Sequence, residues 1–292
     1  MQDGPLMIQP LFIVAPPRSF TSVVGGMLGQ HPQAYGLPEV NLSAGDRLGD
    51  NFDLDGRVAP NSGLLRLLAQ LQGGGQSDAT VIEARQWITR RLHWPTPKAF
   101  DHIQTLIGPK MMVEKSPRTT MKIDSLRRMA RFFPKARFLH LTRHPRTTGK
   151  SMIDLVGSAE FAMPEKVWLT SQSNIVELSQ ELPFEQYMRI KGETLLARPQ
   201  FYLAQISEWL GIDKGPEAIE AMLHPENSVY ANIGPPTAPF GNDPNFLQSP
   251  KLDFERLARI KEPSLYDPLE WGKDGETFSA PVIKLARQFG YG

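Results

Sequence analysis

The sequence predicts an α/β fold: three layers, α/β/α, around a mainly parallel sheet, P-loop-like, with a helical insertion. Leu11-Phe12-Ile13-Val14, Met111-Met112-Val113 and Phe138 to Leu141 are short, continuous apolar runs, and each passes through a turn into a stretch with helical spacing. Runs without polar alternation suit strands buried on both faces, as in parallel sheets covered by helices. A strand–loop–helix unit that recurs along a chain builds such a sheet.

Each element has its own justification. After the first run, Pro16-Pro17-Arg18-Ser19-Phe20 turns the chain, and Thr21 to Gln30 carries Val23, Val24, Met27 and Leu28 at helical spacing. Ser62 to Leu71 and Thr80 to His93 also read as helices, separated by Gly73-Gly74-Gly75. They predict an insertion, about 41–108, lying over the carboxyl edge of the sheet. Glu114-Lys115-Ser116-Pro117 leads from the second run into a helix over Met121 to Phe133, and Arg143-His144-Pro145 leads from the third into a helix from about Arg146 to Val156. Pro164 to Glu181 reads as helix, Gln186 to Lys191 as strand, and Pro199 to Leu210 as helix up to Gly211. Asn232 to Pro250, rich in Gly, Pro and Asn, reads as a long loop of the kind that usually serves function, within a loop-rich segment of about 226–292. One domain over 1–292 is expected.

Composition removes several classes of function. Lys plus Arg number 32 against 31 Asp plus Glu, so there is no global charge to recruit nucleic acid or an anionic membrane. Cysteine is absent, which excludes disulfides, thiolate metal sites and a cysteine nucleophile. No His/Asp/Glu cluster has metal-ligand spacing, so no metal is expected. Leu6 to Ala15 is short, interrupted by Pro10 and preceded by Asp3, unlike a signal peptide or a membrane span, so a cytoplasmic location is the expectation.

Gly149-Lys150-Ser151 closes like a nucleotide phosphate loop. The first half of that loop should be Gly or Ala, to let backbone N–H groups wrap a phosphate, yet here stand His144 and Pro145, and Pro145 has no N–H to give. The better anion site is Pro17-Arg18-Ser19-Phe20-Thr21-Ser22, where hydroxyls, N–H groups and a guanidinium gather at a helix N-terminus. Together with the stretch Arg143 to Ser151 after a later strand, this makes two anion loops on two strands of one sheet, which suggest a ligand with two separated phosphate-like groups.

In these motifs the sequence resembles the sulfotransferases that use 3′-phosphoadenosine 5′-phosphosulfate (PAPS), in particular the bacterial branch resembling tyrosylprotein and carbohydrate sulfotransferases. Pro17 to Ser22 is similar to the 5′-phosphosulfate loop of that family, with Phe20 in place of a glycine. Arg143 and Ser151 stand at the spacing of its 3′-phosphate clamp. Gln30-His31-Pro32 with Pro38-Glu39, and Glu114-Lys115-Ser116-Pro117-Arg118, resemble stretches of its tyrosylprotein and bacterial branches, and Lys191 to Pro199 is a weaker echo. The resemblance covers roughly residues 11 to 210. It implies sulfuryl transfer from PAPS to an acceptor hydroxyl on a small molecule, carbohydrate, lipid or carrier-bound chain. Arg18, Ser19, Phe20, Thr21, Ser22, Arg143 and Ser151 would then bind the donor, with Glu39 as base and Arg18 and Lys115 as cationic stabilisers. On residue type alone Glu39 is an ordinary solvated carboxylate, and Glu114, leaving a strand end, is its rival as base. Gly192 stands where the family often has a tyrosine against adenine, so Trp87 or Trp168 is the expected replacement. The Gly234 to Asn245 loop is expected to close the side that a C-terminal Arg-Lys-Gly closes in cytosolic members. His31, His93 and His144 read as core or loop residues, His144 beside the phosphate. The rival functions are a P-loop kinase or NTPase using Lys150, and a non-catalytic nucleotide-binding module.

Overall fold

The computed structural model describes residues 9–50, 62–156, 163–253, 255, 257, 259, 261–273 and 275–292. Five strands form one sheet: β1 (Leu11–Val14), β2 (Ala34–Gly36), β3 (Met111–Lys115), β4 (Arg137–Thr142) and β5 (Tyr187–Lys191), in the spatial order β2-β3-β1-β4-β5. Every pairing is parallel. Every residue of β1 and β3 is buried, which is why β1 and the Met111-Met112-Val113 start of β3 read as unbroken apolar runs, although β3 ends in the buried Glu114 and Lys115.

Alternation across the pleat divides the core. Phe12, Val14, Met112 and Phe138 face one layer; Leu11, Ile13, Val113, Leu139 and Leu141 face the other. The second layer contains α1 (Thr21–Gly29), α8 (Gly192–Ala197), α9 (Pro199–Leu210) and α10 (Pro216–Met222). On the first pack α2 (Ser62–Gly73), α3 (Asp78–Thr89), α4 (Thr96–Ile107), α5 (Ile123–Phe132) and α7 (Met163–Glu181), the last following α6 (Pro145–Val156). This corrects the expected position of the insertion. Leu64, Leu68, Val81, Ile88, Phe100 and Ile103 join the Phe12 cluster, so the insertion helps to build one layer of the sandwich instead of only capping the sheet edge.

Other differences have local causes. The helix expected from Met121 begins at Ile123, because Pro117–Met121 forms a 3₁₀ turn. The Asn232 to Pro250 loop contains a short helix, α11 (Pro244–Gln248), opened by Asp243, whose side chain accepts from the Asn245 N–H. The loop-rich C-terminal segment ends in α12 (Ala280–Gln288), which joins Trp168, Leu265 and Tyr291 in a third apolar cluster. No helix among the described residues is long and apolar enough to cross a membrane.

Candidate active site

From β1 the chain crosses toward β2 and β3, whereas β4 leads the other way to β5, so the carboxyl ends of β1 and β4 flank the switch in strand order. Open α/β sheets bind ligands in such a crevice. Both expected anion loops lie there, beside a cavity of about 590 Å³ lined by Arg18, Phe20, Ser22, Arg143, Thr147 and Ser151, among others.

The first loop holds Arg18 and Phe20 at φ 67° and 64°, a left-handed conformation in which L-residues are uncommon. Phe20 caps α1 without a side-chain acceptor, so the leading N–H groups of that helix have no cap from its side chain. Ser19 is fully buried and its Oγ has no hydrogen-bond partner among the described residues. An uncapped helix start beside an orphaned buried hydroxyl fits an anion.

Two arginines tie this loop to the second. Arg18 Nε donates to Ser151 Oγ at 3.0 Å, and Arg18 Nη1 forms an ion pair with Asp243. Arg143 donates to the Arg18 carbonyl and, through Nε, to Thr147 Oγ1 at 3.1 Å. Its guanidinium lies 4.3 Å from the centroid of Phe20. Burial pushes the Arg143 guanidinium down to about 10, so it stays charged at neutral pH.

Beyond the first loop, β3 presents Glu114 and Lys115 to opposite faces. Lys115 runs along Gly25 of α1, where an added Cβ would lie 3.1 Å from its Cγ. Its Nζ donates to Ser22 Oγ at 2.8 Å and to Glu39 Oε1 at 3.1 Å. Lys115 is buried and the Glu39 side chain a quarter exposed. The Glu39 backbone is fixed too: its N–H donates to the Gly241 carbonyl at 2.7 Å, and a Cβ at Gly63 would lie 2.0 Å from its own carbonyl oxygen. Glu114 is buried and accepts from the Ser116 hydroxyl, which in turn accepts from the Asn41 N–H at 2.9 Å. Burial pushes the Glu114 carboxyl up to about 7, against the Ser116 hydrogen bond and the Lys115 charge, while the Glu39 charge adds to the rise.

Residues 10–216 match the profile of the sulfotransferase family. The chain belongs to that family. Its chemistry is therefore sulfuryl transfer in general. Of solved structures, the sulfotransferase domain of the Synechococcus PCC 7002 olefin synthase is similar at 26% identity and a TM-score of 0.78, with 100% of this chain and 99% of that one covered. The sulfotransferase domain from the curacin biosynthetic pathway shares the fold at 23% identity and a TM-score of 0.76, over 98% and 99% of the two chains. No curated protein sequence matches it.

In this sulfotransferase the expected tryptophans do not line the cavity beside the two loops. Trp168 is buried and donates from Nε1 to the Arg143 carbonyl at 3.0 Å, while Trp87 stacks on His102 and is covered by Arg91. The aromatics that line the cavity are Phe20 and Phe246, and Gly192 makes room for Phe20: an added Cβ there would lie 2.4 Å from a Phe20 ring carbon. The two positions at which the sequence departs from the expected pattern thus meet in space. Gly149 is small for a similar reason, since its Cβ would meet the Trp271 ring at 2.6 Å. Lys150 is exposed and stands 3.8 Å from Glu270. His31 is buried against the Asp213 carbonyl, His93 is exposed, and the ring of His144 meets Tyr291 edge-on.

Sequence reasoning missed Asp243. It pairs with Arg18, and its own N–H donates to Ser22 Oγ at 2.9 Å. The expected loop is thus brought to the cavity, through Asp243 and Asn245, and residues 248–253 continue the wall. An aspartate in a polar loop carries no local signal of a partner that lies on another loop.

Proposed function

We propose that the chain transfers the sulfuryl group of PAPS to an acceptor hydroxyl and releases adenosine 3′,5′-bisphosphate. One observation carries this: loops from the adjacent strands β1 and β4 converge on a single cavity that Arg18 and Arg143 both line, and the first of these loops also holds the orphaned buried hydroxyl of Ser19. Ser19, Thr21, Ser22 and the N–H groups of α1 hold the 5′-phosphate, while Arg143 and Ser151 hold the 3′-phosphate. Phe20 takes the place of the missing tyrosine beside the nucleobase. PAPS supplies an activated sulfuryl group on a phosphate leaving group. Glu39 accepts the hydroxyl proton, and Lys115 and Arg18 offset the negative charge that develops at the leaving side. The Lys115–Glu39 contact supports Glu39 over Glu114, which has its hydroxyl partner in Ser116 and lines neither cavity beside the loops. The acceptor is sought among small molecules, carbohydrates, lipids and carrier-bound chains.

Titration with the bisphosphate tests the donor site. Arg143→Ala should weaken its binding by about 2–4 kcal/mol while barely changing that of adenosine 5′-phosphosulfate, which lacks the 3′-phosphate. Equal losses for both ligands would remove Arg143 from this role. Lys150→Ala should leave binding intact; an ATP-splitting loop could not tolerate that change. Transfer of labelled sulfuryl to acceptors separates the enzyme from a non-catalytic nucleotide module.

A further inference from the structure

Glu39 opens onto a second cavity of about 250 Å³, lined also by Asn41, Arg118, Phe240 and Asn242. The loop carrying Asp243 divides it from the larger one, since Asp243 lines the first and Pro244 the second. Within this cavity the Glu39 charge is already matched by Lys115. Arg118 is exposed and has no hydrogen bond or ion pair with any described residue. By contrast, the nearby arginines are committed: Arg18 to Asp243, and Arg66 to Gln76 and the carbonyls of Asn232 and Phe240.

The position of Arg118 is also built. Its 3₁₀ turn is buried at Pro117, Thr119 and Thr120. The Thr119 hydroxyl donates to the Ser116 carbonyl at 2.6 Å, the Thr120 hydroxyl to that of Pro117 at 2.7 Å, and Asn174 Nδ2 to the Thr120 carbonyl at 2.8 Å. Arg118 alone projects from a turn locked on both sides. Phe240 keeps 43% of its surface exposed at the same cavity. A carboxylate to meet a hydroxyl, an aromatic face and an unmatched planar cation therefore share one small space.

We infer that the acceptor carries an anionic group, a carboxylate or a phosphate, separated from its reacting hydroxyl by a short apolar segment, and that Arg118 binds that group. A guanidinium recognises both oxyanions through paired donors. The inference rests on Glu39 marking the acceptor side, and it adds the chemical class of acceptor.

The test uses ω-hydroxycarboxylic acids of increasing chain length, their methyl esters and the matching ω-hydroxyalkyl phosphates, titrated into protein saturated with adenosine 3′,5′-bisphosphate. At one chain length the acid or the phosphate should bind at least about tenfold more tightly than the neutral ester. Which of the two gains more identifies the anion. Arg118→Gln should erase the difference and leave ester binding and thermal stability unchanged, and Arg118→Lys should retain part of it. Equal binding of acid and ester, no binding of any anion, or a preference that survives Arg118→Gln overturns the inference. Failure of the bisphosphate to bind would instead overturn the donor assignment, and the same acid–ester comparison without it still decides the role of Arg118.

Discussion

Glu39 and Glu114 lie close enough to share Lys115 as a neighbour, yet their surroundings differ: one is partly solvated and ion-paired, the other buried on a serine hydroxyl. If Glu39 is the base, Glu39→Gln should reduce turnover by about 10²–10⁴-fold, with bisphosphate affinity within a few-fold of wild type. Glu114→Gln should act mildly on turnover; the reverse ranking, measured by initial rates, would transfer the role. Glu114 should show itself in stability instead. Its carboxyl is raised in the folded protein, so folding binds a proton between pH 4.5 and about 7, and stability falls as pH rises through that window. Thermal melts should therefore show Glu114→Gln gaining on wild type from pH 5 to pH 8, by up to about 3 kcal/mol. A constant difference across that range would contradict the protonated, buried state. The two rival carboxylates could be named from the sequence, but not their surroundings: Glu39 and Lys115 are 76 positions apart, and a pairing at that distance leaves no mark on spacing.

At the scale of elements, legibility followed burial. The strands β1, β3 and β4 stand out through short buried stretches dominated by apolar residues, whereas β2 has only Ala34, Tyr35 and Gly36, too short to show a period. The helix α4 also escaped notice, since Thr96-Pro97-Lys98 reads as loop although Pro at the start of a helix is favourable. The two loops that line the larger cavity were legible as loops because each joins a strand to a helix. The contact between Phe20 and Gly192 was visible only as two unrelated departures, since it depends on α8 lying against the first loop. Gly192→Ala should therefore cost about 1–3 kcal/mol through its clash with the Phe20 ring, and pairing it with Phe20→Ala should recover much of that loss. Additive losses in chemical denaturation would show that the two positions are independent.

Across the molecule, the last residues reach back to the switch between β1 and β4. The Tyr291 hydroxyl donates to Glu193 Oε2 at 3.0 Å and meets Thr142 Oγ1 at 3.1 Å, while Glu193 Oε1 accepts from the His144 N–H at 2.9 Å. One buried phenol thereby links α12, the end of β4 and the start of α8. Tyr291→Phe, which keeps the ring and removes the hydroxyl, should cost about 1–3 kcal/mol of stability by depriving the half-buried Glu193 carboxylate of a donor; an unchanged melting temperature would show that the link carries no weight.

Lys115, finally, touches Ser22 at the larger cavity and Glu39 at the smaller one with the same ammonium. On the reading of Glu39 as base, a proton arriving there turns a balanced pair of opposite charges into a neutral acid beside a lone cation. The cation is then uncompensated at the serine of the phosphate loop, at the moment when electrons move toward that side. Deprotonating the acceptor and assisting the leaving group thus become two readings of one charge redistribution, which needs no movement of the loops that frame it.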